Sequence, residues 1–126
     1  MDLPVLVLEK EPQLRSLIRT ILSKHGFRIL EARDRLTALE SVKALDGAMT
    51  VIVSSFSMPE LNGDAFARIV KADFPDTPVL LMVSGATECD ALSGDAFLPK
   101  PFLPSELVDT VRRLQENSFT GNDECD

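Results

Sequence analysis

Short apolar runs alternate with amphipathic segments along this chain, and that alternation is the feature that most constrains its fold. The first run, "LPVLVL" (Leu3 to Leu8), has no polar alternation, which is typical of a strand covered on both faces. The next segment places Pro12 in a first helical turn and Gly26 at its end. Its apolar residues recur three and four apart, at Leu14, Leu17, Ile18, Ile21 and Leu22. This opening predicts a buried strand followed by an amphipathic helix.

The same alternation continues to about Leu114. Further strands are predicted at Phe27 to Ala32, in "MTVIVSS", at Val79 to Val83 and in "AFLPKPF", and further helices at Arg35 to about Leu45, at Gly63 to about Asp73 and from Pro104 onward. Strands that alternate with helices pair in parallel through right-handed crossovers. The sequence therefore predicts an α/β fold with a five-stranded, doubly wound parallel sheet.

The length and charge of the chain limit its organisation and its partners. Its 126 residues suffice for one domain with a core of its own, which we predict over residues 1–115. Residues 116–126 are polar and acidic, so we expect a disordered tail or the remnant of a linker. The formal net charge of −7 disfavours contacts with nucleic acid and with anionic lipid.

Nothing in the sequence predicts export or insertion into a membrane. The run from Leu3 to Leu8 is too short for a signal-peptide core or a membrane span, and no basic segment precedes it. Cys89 and Cys125 lie far apart in unlike contexts, which favours a reduced pair over a disulfide. We therefore expect a cytoplasmic protein.

Polar side chains follow four of the predicted strands. These positions are Glu9 to Glu11, Ser54 to Ser57, Ser84 with Gly85, and Lys100. Because the carboxyl ends of parallel strands meet at one edge of a sheet, we expect these residues to gather there. We call this edge the carboxyl rim. Ligands and reactions of α/β domains are usually found at such an edge.

Four motifs, "VLVLEKEP", "SSFSMPELNG", "VSGA" and "FLPKPF", together resemble the receiver domain of bacterial two-component response regulators, over about residues 3–114. The resemblance implies a flavodoxin-like fold and a part in phosphorelay signalling. In that family an acidic pair after the first strand binds Mg²⁺, and an aspartate after the third accepts a phosphoryl group from a histidine kinase. A Ser or Thr and a Lys then hold the phosphoryl oxygens, roles that Ser84 and Lys100 match. Phe97 matches the aromatic position that reports the switch, although it is equally well interpreted as a core residue.

Two essential positions depart from the family pattern. Ser55 stands where the acceptor aspartate is expected, and Glu9 with Lys10 stands where the acidic pair is expected. The family site carries about −2, whereas Glu9, Lys10, Ser55 and Lys100 sum to +1 (−1 + 1 + 0 + 1). We therefore expect weak or absent Mg²⁺ binding and no other cofactor, with Lys10 as a substitute for the metal. Lys100 is expected to turn to Glu9 or to the Ser55 hydroxyl.

The segment between the fourth and fifth strands is also short for this family. The twelve residues "GATECDALSGDA" follow Ser84, a span in which family members usually fit a whole helix and its loops. The helix at this place is therefore predicted to be shortened or missing. In the family this helix forms part of the surface by which the phosphorylated state is recognised. The resemblance therefore implies that the chain lacks part of that surface.

Three interpretations of function follow, and the first is favoured. The chain is a degenerate, phosphorylation-independent receiver that binds a protein partner or itself, with no catalytic residue. Alternatively it is a receiver regulated by a small ligand at the rim or by phosphorylation of Ser55. A third possibility is a small hydrolase in which Lys100 activates Ser55. A triad with histidine is excluded, because the single histidine, His25, is expected at the opposite end of the sheet.

Overall fold

A computed structural model describes residues 3–57, 62–84 and 94–116 of the chain. The described elements, in chain order, are β1 (Val5–Leu8), α1 (Pro12–Lys24), β2 (Ile29–Ala32), α2 (Arg35–Ala44), β3 (Val51–Ser55), α3 (Gly63–Asp73), β4 (Val79–Val83), β5 (Ala96–Pro99) and α4 (Pro104–Glu116). The five strands form one sheet in the order β2-β1-β3-β4-β5, and all its pairings are parallel. The predicted doubly wound, flavodoxin-like fold is confirmed.

Two apolar clusters enclose the sheet, one on each face. On one face Val5, Val7, Val51 and Val53 meet α1 and α4, whose inward residues include Ile18, Leu22, Leu107 and Val111. On the other face Leu6, Leu8 and Ile52 meet α2 and α3, whose inward residues include Ala38, Val42, Phe66 and Val70. Successive side chains of a strand point to opposite faces, so each central strand contributes to both clusters. This is why β1, β3 and β4 are buried along their whole length.

Most predicted boundaries agree with the structure to within two residues. Helix α1 begins at Pro12, α3 begins at Gly63, and β4 spans Val79–Val83, as the sequence predicts. The second strand is shorter than predicted and begins at Ile29. The physical reason is that the Phe27 N–H donates to Leu22 O, so Phe27 still belongs to the turn that ends α1.

Several predictions fall on residues outside the described ranges. The four helices among the described residues fit a shortened or missing helix between β4 and β5, but residues 85–93, on which that prediction falls, lie outside them. Cys89, Cys125 and residues 117–126 of the predicted tail also lie outside them, whereas Glu116 ends α4. Within the described ranges, every helix is too short or too polar to cross a membrane.

Helices α2 and α3 each begin at a side chain that caps the helix. The cap of α2 is a titratable aspartate, and the cap of α3 is a neutral asparagine. Asp34 Oδ1 accepts from Thr37 N at 2.8 Å, and Asn62 Oδ1 accepts from Ala65 N at 2.8 Å. The Thr37 backbone bond holds the pKa of the Asp34 carboxyl below its ordinary value. A carboxyl with a lowered folded-state pKa stabilises the fold above the unfolded-state pKa, and that contribution is lost as the pH falls through the folded-state pKa.

We therefore expect Asp34→Ala and Asn62→Ala to respond differently to pH. Asn62→Ala lowers the free energy of unfolding by about 1 kcal/mol at every pH. Asp34→Ala destabilises at neutral pH, and its effect shrinks as the pH falls from about 4 through the lowered folded-state pKa, below which the carboxyl is protonated in both states. Urea denaturation across this pH range measures both, with Asp34→Asn as the control that keeps a cap without a charge. An Asp34→Ala effect that does not change with pH would contradict this assignment.

Candidate functional site

Parallel register brings the carboxyl ends of the central strands level. Leu8 lies opposite Ser54, and Ser55 lies opposite Met82 on β4. One residue beyond β5, the Lys100 N–H donates to Val83 O at 2.7 Å, which continues the sheet pattern past the end of the strand. The residues that follow β1, β3 and β5 are therefore held by backbone bonds at one edge.

The Lys100 ammonium joins two other rim residues. Its Nζ lies 3.3 Å from Ser55 Oγ and 3.4 Å from Glu9 Oε1. The Lys100 side chain is 26% exposed, whereas that of Glu9 is 3% exposed. Both partners that the sequence predicts for Lys100 are therefore present, in one cluster of Glu9, Ser55 and Lys100 that we call the rim cluster.

Glu9 is held from three sides. Its Oε2 accepts from Glu11 N at 3.1 Å, so both carboxylate oxygens have a partner. Its backbone carbonyl accepts from Arg15 Nη1 at 2.8 Å, and Arg15 Nε lies 3.3 Å from Glu31 Oε1 on β2. A buried carboxylate is tolerated only when it is paired and hydrogen-bonded, and these contacts meet that requirement.

Arg15 is a rim residue that the sequence analysis did not single out. Its side chain reaches from the first turn of α1 to the end of β1 and to Glu31 on β2. The one available signal is its position just after the loop that follows β1, within reach of the strand end. That spacing alone did not distinguish it from a solvated helix arginine.

The two serines at the end of β3 have different partners. Ser54 is fully buried, and its hydroxyl donates to Ser55 O at 3.1 Å. Ser55 is 2% exposed, its hydroxyl donates to Ser57 O at 3.3 Å, and it accepts from Lys100. Ser54 is thus a satisfied core residue, and Ser55 is the serine that belongs to the rim cluster.

Gly63 fixes the backbone where β3 ends. Its N–H donates to Phe56 O at 2.7 Å, and a Cβ at this position would lie 2.6 Å from Ser55 O and 2.8 Å from the Phe56 Cα. Contacts this short are prohibited, so only glycine allows α3 to begin so close to the end of β3. This close approach sets the path of the chain at Ser55.

The other three predicted site residues have different surroundings. Lys10 is exposed and makes no hydrogen bond or ion pair within the described part of the chain. Ser84 is exposed directly after β4. Phe97 is half-buried on β5 and packs against the cluster that faces α2 and α3, a contact that both interpretations of this residue share. The ammonium found against Glu9 and Ser55 is therefore that of Lys100 alone.

The rim cluster is electrically balanced. Glu9 contributes −1, Lys100 contributes +1 and Ser55 is neutral, so the formal sum of the three contacting side chains is zero. Over residues 3–57, 62–84 and 94–116, no three His, Cys, Asp or Glu side chains come together as a metal-binding group. The Lys100-Pro101 peptide bond beside the cluster is cis.

Comparisons with known proteins agree on the kind of domain. The family described as "Response regulator receiver domain" matches residues 5–112. The chain is 32% identical over 117 residues to the sensor kinase CckA of Brucella abortus, a match that covers 89% of this chain and 12% of that protein. It is 29% identical over 119 residues to the transcriptional regulatory protein CpxR of Escherichia coli, covering 90% of this chain and 50% of that protein. The chain thus spans half or less of these two relatives.

Solved structures give the same result. The response regulator protein TrrA of Thermotoga maritima, in complex with Mg²⁺-BeF, superposes with a TM-score of 0.80 at 26% identity, covering 90% of this chain and 99% of that chain. The chemotaxis protein CheY4 of Vibrio cholerae superposes with a TM-score of 0.79 at 25% identity, covering 90% of this chain and 98% of that chain.

The contacts of Lys100 predict a difference between two lysine variants. Lys100→Met leaves the buried Glu9 carboxylate without its counter-charge, which we expect to lower the free energy of unfolding by about 1–3 kcal/mol. Lys10→Met removes an exposed ammonium without described contacts, and we expect a change within about 0.5 kcal/mol. Urea denaturation measures both, and equal effects would contradict the structural role given to Lys100.

Proposed function

Because the chain belongs to the response regulator receiver domain family, we propose that it is a degenerate receiver, which acts through protein contacts without accepting a phosphoryl group in the conventional way. The observation that carries this proposal is the position of Lys100. Its ammonium lies within hydrogen-bond distance of both Glu9 Oε1 and Ser55 Oγ. Lys100, which matches the family's lysine, thus contacts a neutral hydroxyl at the position where the resemblance puts the acceptor aspartate.

The side chain at the acceptor position does not favour phosphoryl transfer. A serine hydroxyl needs a base to become an effective nucleophile. The Ser55 hydroxyl donates its proton to the Ser57 carbonyl, which is not a base, and accepts from the Lys100 ammonium. Neither the Ser57 carbonyl nor the protonated Lys100 ammonium can take up the Ser55 proton, so neither contact supplies the base that activation requires.

The donor set also fits a divalent cation poorly. Mg²⁺ prefers several oxygen ligands and negative charge, and it demands near-ideal geometry. Glu9 is the carboxylate of the rim cluster, and its two oxygens already accept from Lys100 and from the Glu11 N–H. A metal at this carboxylate would lie beside the ammonium, and that repulsion costs several kcal/mol at intermediate dielectric.

The consequence we propose for signalling is a receiver held in one arrangement. Lys100 links the end of β5 to the ends of β1 and β3 without help from a modification. A protein partner of the two-component type, or a second copy of the chain, then recognises that fixed arrangement. Direct contact with nucleic acid is not part of the proposal for this domain, because its net charge of −7 repels phosphate backbones.

A second function of another class is favoured by one distance. Ser55 Oγ and Lys100 Nζ lie 3.3 Å apart, which is the spacing of a Ser-Lys catalytic pair. Two observations weigh against a hydrolase. Ser55 is 2% exposed, and Lys100 acts as a donor to Glu9, whereas a general base must accept a proton. Phosphorylation of Ser55 by a serine kinase, or binding of a small ligand there, would likewise require the hydroxyl to become exposed.

The proposal predicts that the domain does not respond to a phosphoryl mimic. We expect no saturable amide shifts near Glu9, Ser55, Ser84 and Lys100 when Mg²⁺ and then beryllofluoride are added, because the ammonium opposes the metal. Heteronuclear NMR measures this, and TrrA, whose structure holds Mg²⁺-BeF, serves as the positive control. Saturation at low millimolar Mg²⁺ would overturn the proposal.

Restoring the family's residues provides the matched variants. Ser55→Asp alone keeps Lys10 and lacks the acidic pair, so we expect little Mg²⁺-dependent labelling by acetyl phosphate. Ser55→Asp with Lys10→Asp supplies both carboxylates and is expected to label more strongly. Strong labelling of the single variant would show that position 10 matters less than the charge count suggests.

The hydrolase alternative is tested separately. We expect no labelling of Ser55 by a serine-directed fluorophosphonate, because the hydroxyl is buried and lacks a base. Mass spectrometry of the treated chain gives the result. Labelling that disappears in Lys100→Ala would favour a hydrolase over a degenerate receiver.

A further inference from the structure

A cavity of about 630 Å³ lies at the edge of the sheet opposite the carboxyl rim. Its walls come from the segments that precede the strands and from the last turns of α4. The apolar part includes Leu3, Phe27, Met49 and Pro78, and the charged part includes Arg28 and Arg112. We call this cavity the amino-terminal groove. It is distinct from the rim cluster and depends on none of the chemistry proposed there.

The groove presents two arginines without a counter-charge. Arg28 and Arg112 are exposed, and neither forms an ion pair within the described part of the chain. Other arginines of the chain do pair with carboxylates, namely Arg15, Arg19, Arg33 and Arg68. Asp76 is the one acidic residue among those that line the groove. In a chain with a net charge of −7, this edge therefore carries local positive charge.

The chain itself supplies an acidic segment beside the groove. Arg112 and Gln115 line the cavity, and α4 ends at Glu116, so segment 117–126 begins in the sequence directly after residues at the margin of the groove. The segment 117–126, "NSFTGNDECD", contains three carboxylates and no lysine or arginine. An extended chain covers about 3.3 Å per residue, so its acidic end reaches any point of the cavity.

We propose that segment 117–126 docks in the amino-terminal groove of its own chain. Its carboxylates at Asp123, Glu124 and Asp126 pair with Arg28 and Arg112, for which guanidinium and carboxylate geometries are complementary. Phe119 supplies an apolar anchor for the apolar wall of the groove. Exposed ion pairs are individually weak and are screened by salt, so docking is reversible and weakens as ionic strength rises.

A spin label on segment 117–126 tests this placement in the 126-residue chain. With Cys89→Ser, a nitroxide attached to Cys125 reports which amides the segment approaches. At low salt we expect amides of Gly26 to Arg28 and Gly47 to Met49 to lose roughly half or more of their intensity, because tethering gives a high effective concentration. Amides of the rim cluster are expected to keep their intensity. At high salt the groove amides are expected to recover.

Two adjacent arginines provide a matched pair of variants. Arg112→Glu reverses a charge in the groove, whereas Arg113→Glu makes the same change outside its lining. We expect the broadening to disappear in Arg112→Glu and to persist in Arg113→Glu. Arg28→Glu is a second groove variant on another segment, and the amide spectrum of each variant shows whether it is folded.

Three outcomes would overturn the proposal. The first is that the groove amides keep their intensity at low salt, or that their loss of intensity is unchanged in both Arg112→Glu and Arg28→Glu. The second is equal loss in Arg112→Glu and Arg113→Glu, which would indicate a general charge effect. The third is broadening of an isotope-labelled chain by a separate spin-labelled chain, which would identify a second copy as the occupant.

Discussion

Burial of the central strands on both faces is the constraint on which the rest of this structure depends. Strands β1, β3 and β4 expose neither face, so charged side chains can stand only before or after them. The two polar side chains of β3, Ser54 and Ser55, lie at its carboxyl end, and the Ser54 hydroxyl is satisfied by a local carbonyl. Polar chemistry is thereby confined to two edges, the carboxyl rim and the amino-terminal groove, at opposite ends of the same strands.

At the carboxyl rim, one buried carboxylate organises contacts across the whole sheet. Lys100 reaches Glu9 from the end of β5, the Glu9 carbonyl accepts from Arg15 on α1, and Arg15 pairs with Glu31 on β2. The chain of contacts runs from one edge strand to the other. Its electrostatic logic is that a carboxylate withdrawn from water needs both a counter-charge and hydrogen-bond donors.

The sequence predicted the fold well because its signals are local. Pro12 at the start of α1 and the uninterrupted run Val79–Val83 have simple physical meanings, and both elements appear as predicted. The predicted start of β2 was wrong, because the Phe27 N–H bonds back to the end of α1. The spacing of apolar residues in the sequence does not indicate such a contact.

The rim was predictable only in part. Parallel topology brings Glu9, Ser55 and Lys100 to one edge, and this grouping follows from the order of strands. The direction of a long side chain does not follow from that order. Lys10, expected near the metal position, is exposed, whereas Arg15, which resembled an ordinary helix residue, reaches the rim. Such contacts depend on how closely α1 approaches the end of β1.

The close approach of α3 to β3 fixes the position of the backbone at residue 55 independently of the side chain there. The atoms that leave no room for a Cβ on Gly63 belong mainly to the backbone of Ser55 and Phe56, and the hydrogen bond to Phe56 O is also a backbone bond. None of these contacts involves the side chain at position 55. The scaffold therefore tolerates an exchange of that side chain without moving the strand end, so the chemistry of the position can diverge while the architecture is inherited intact.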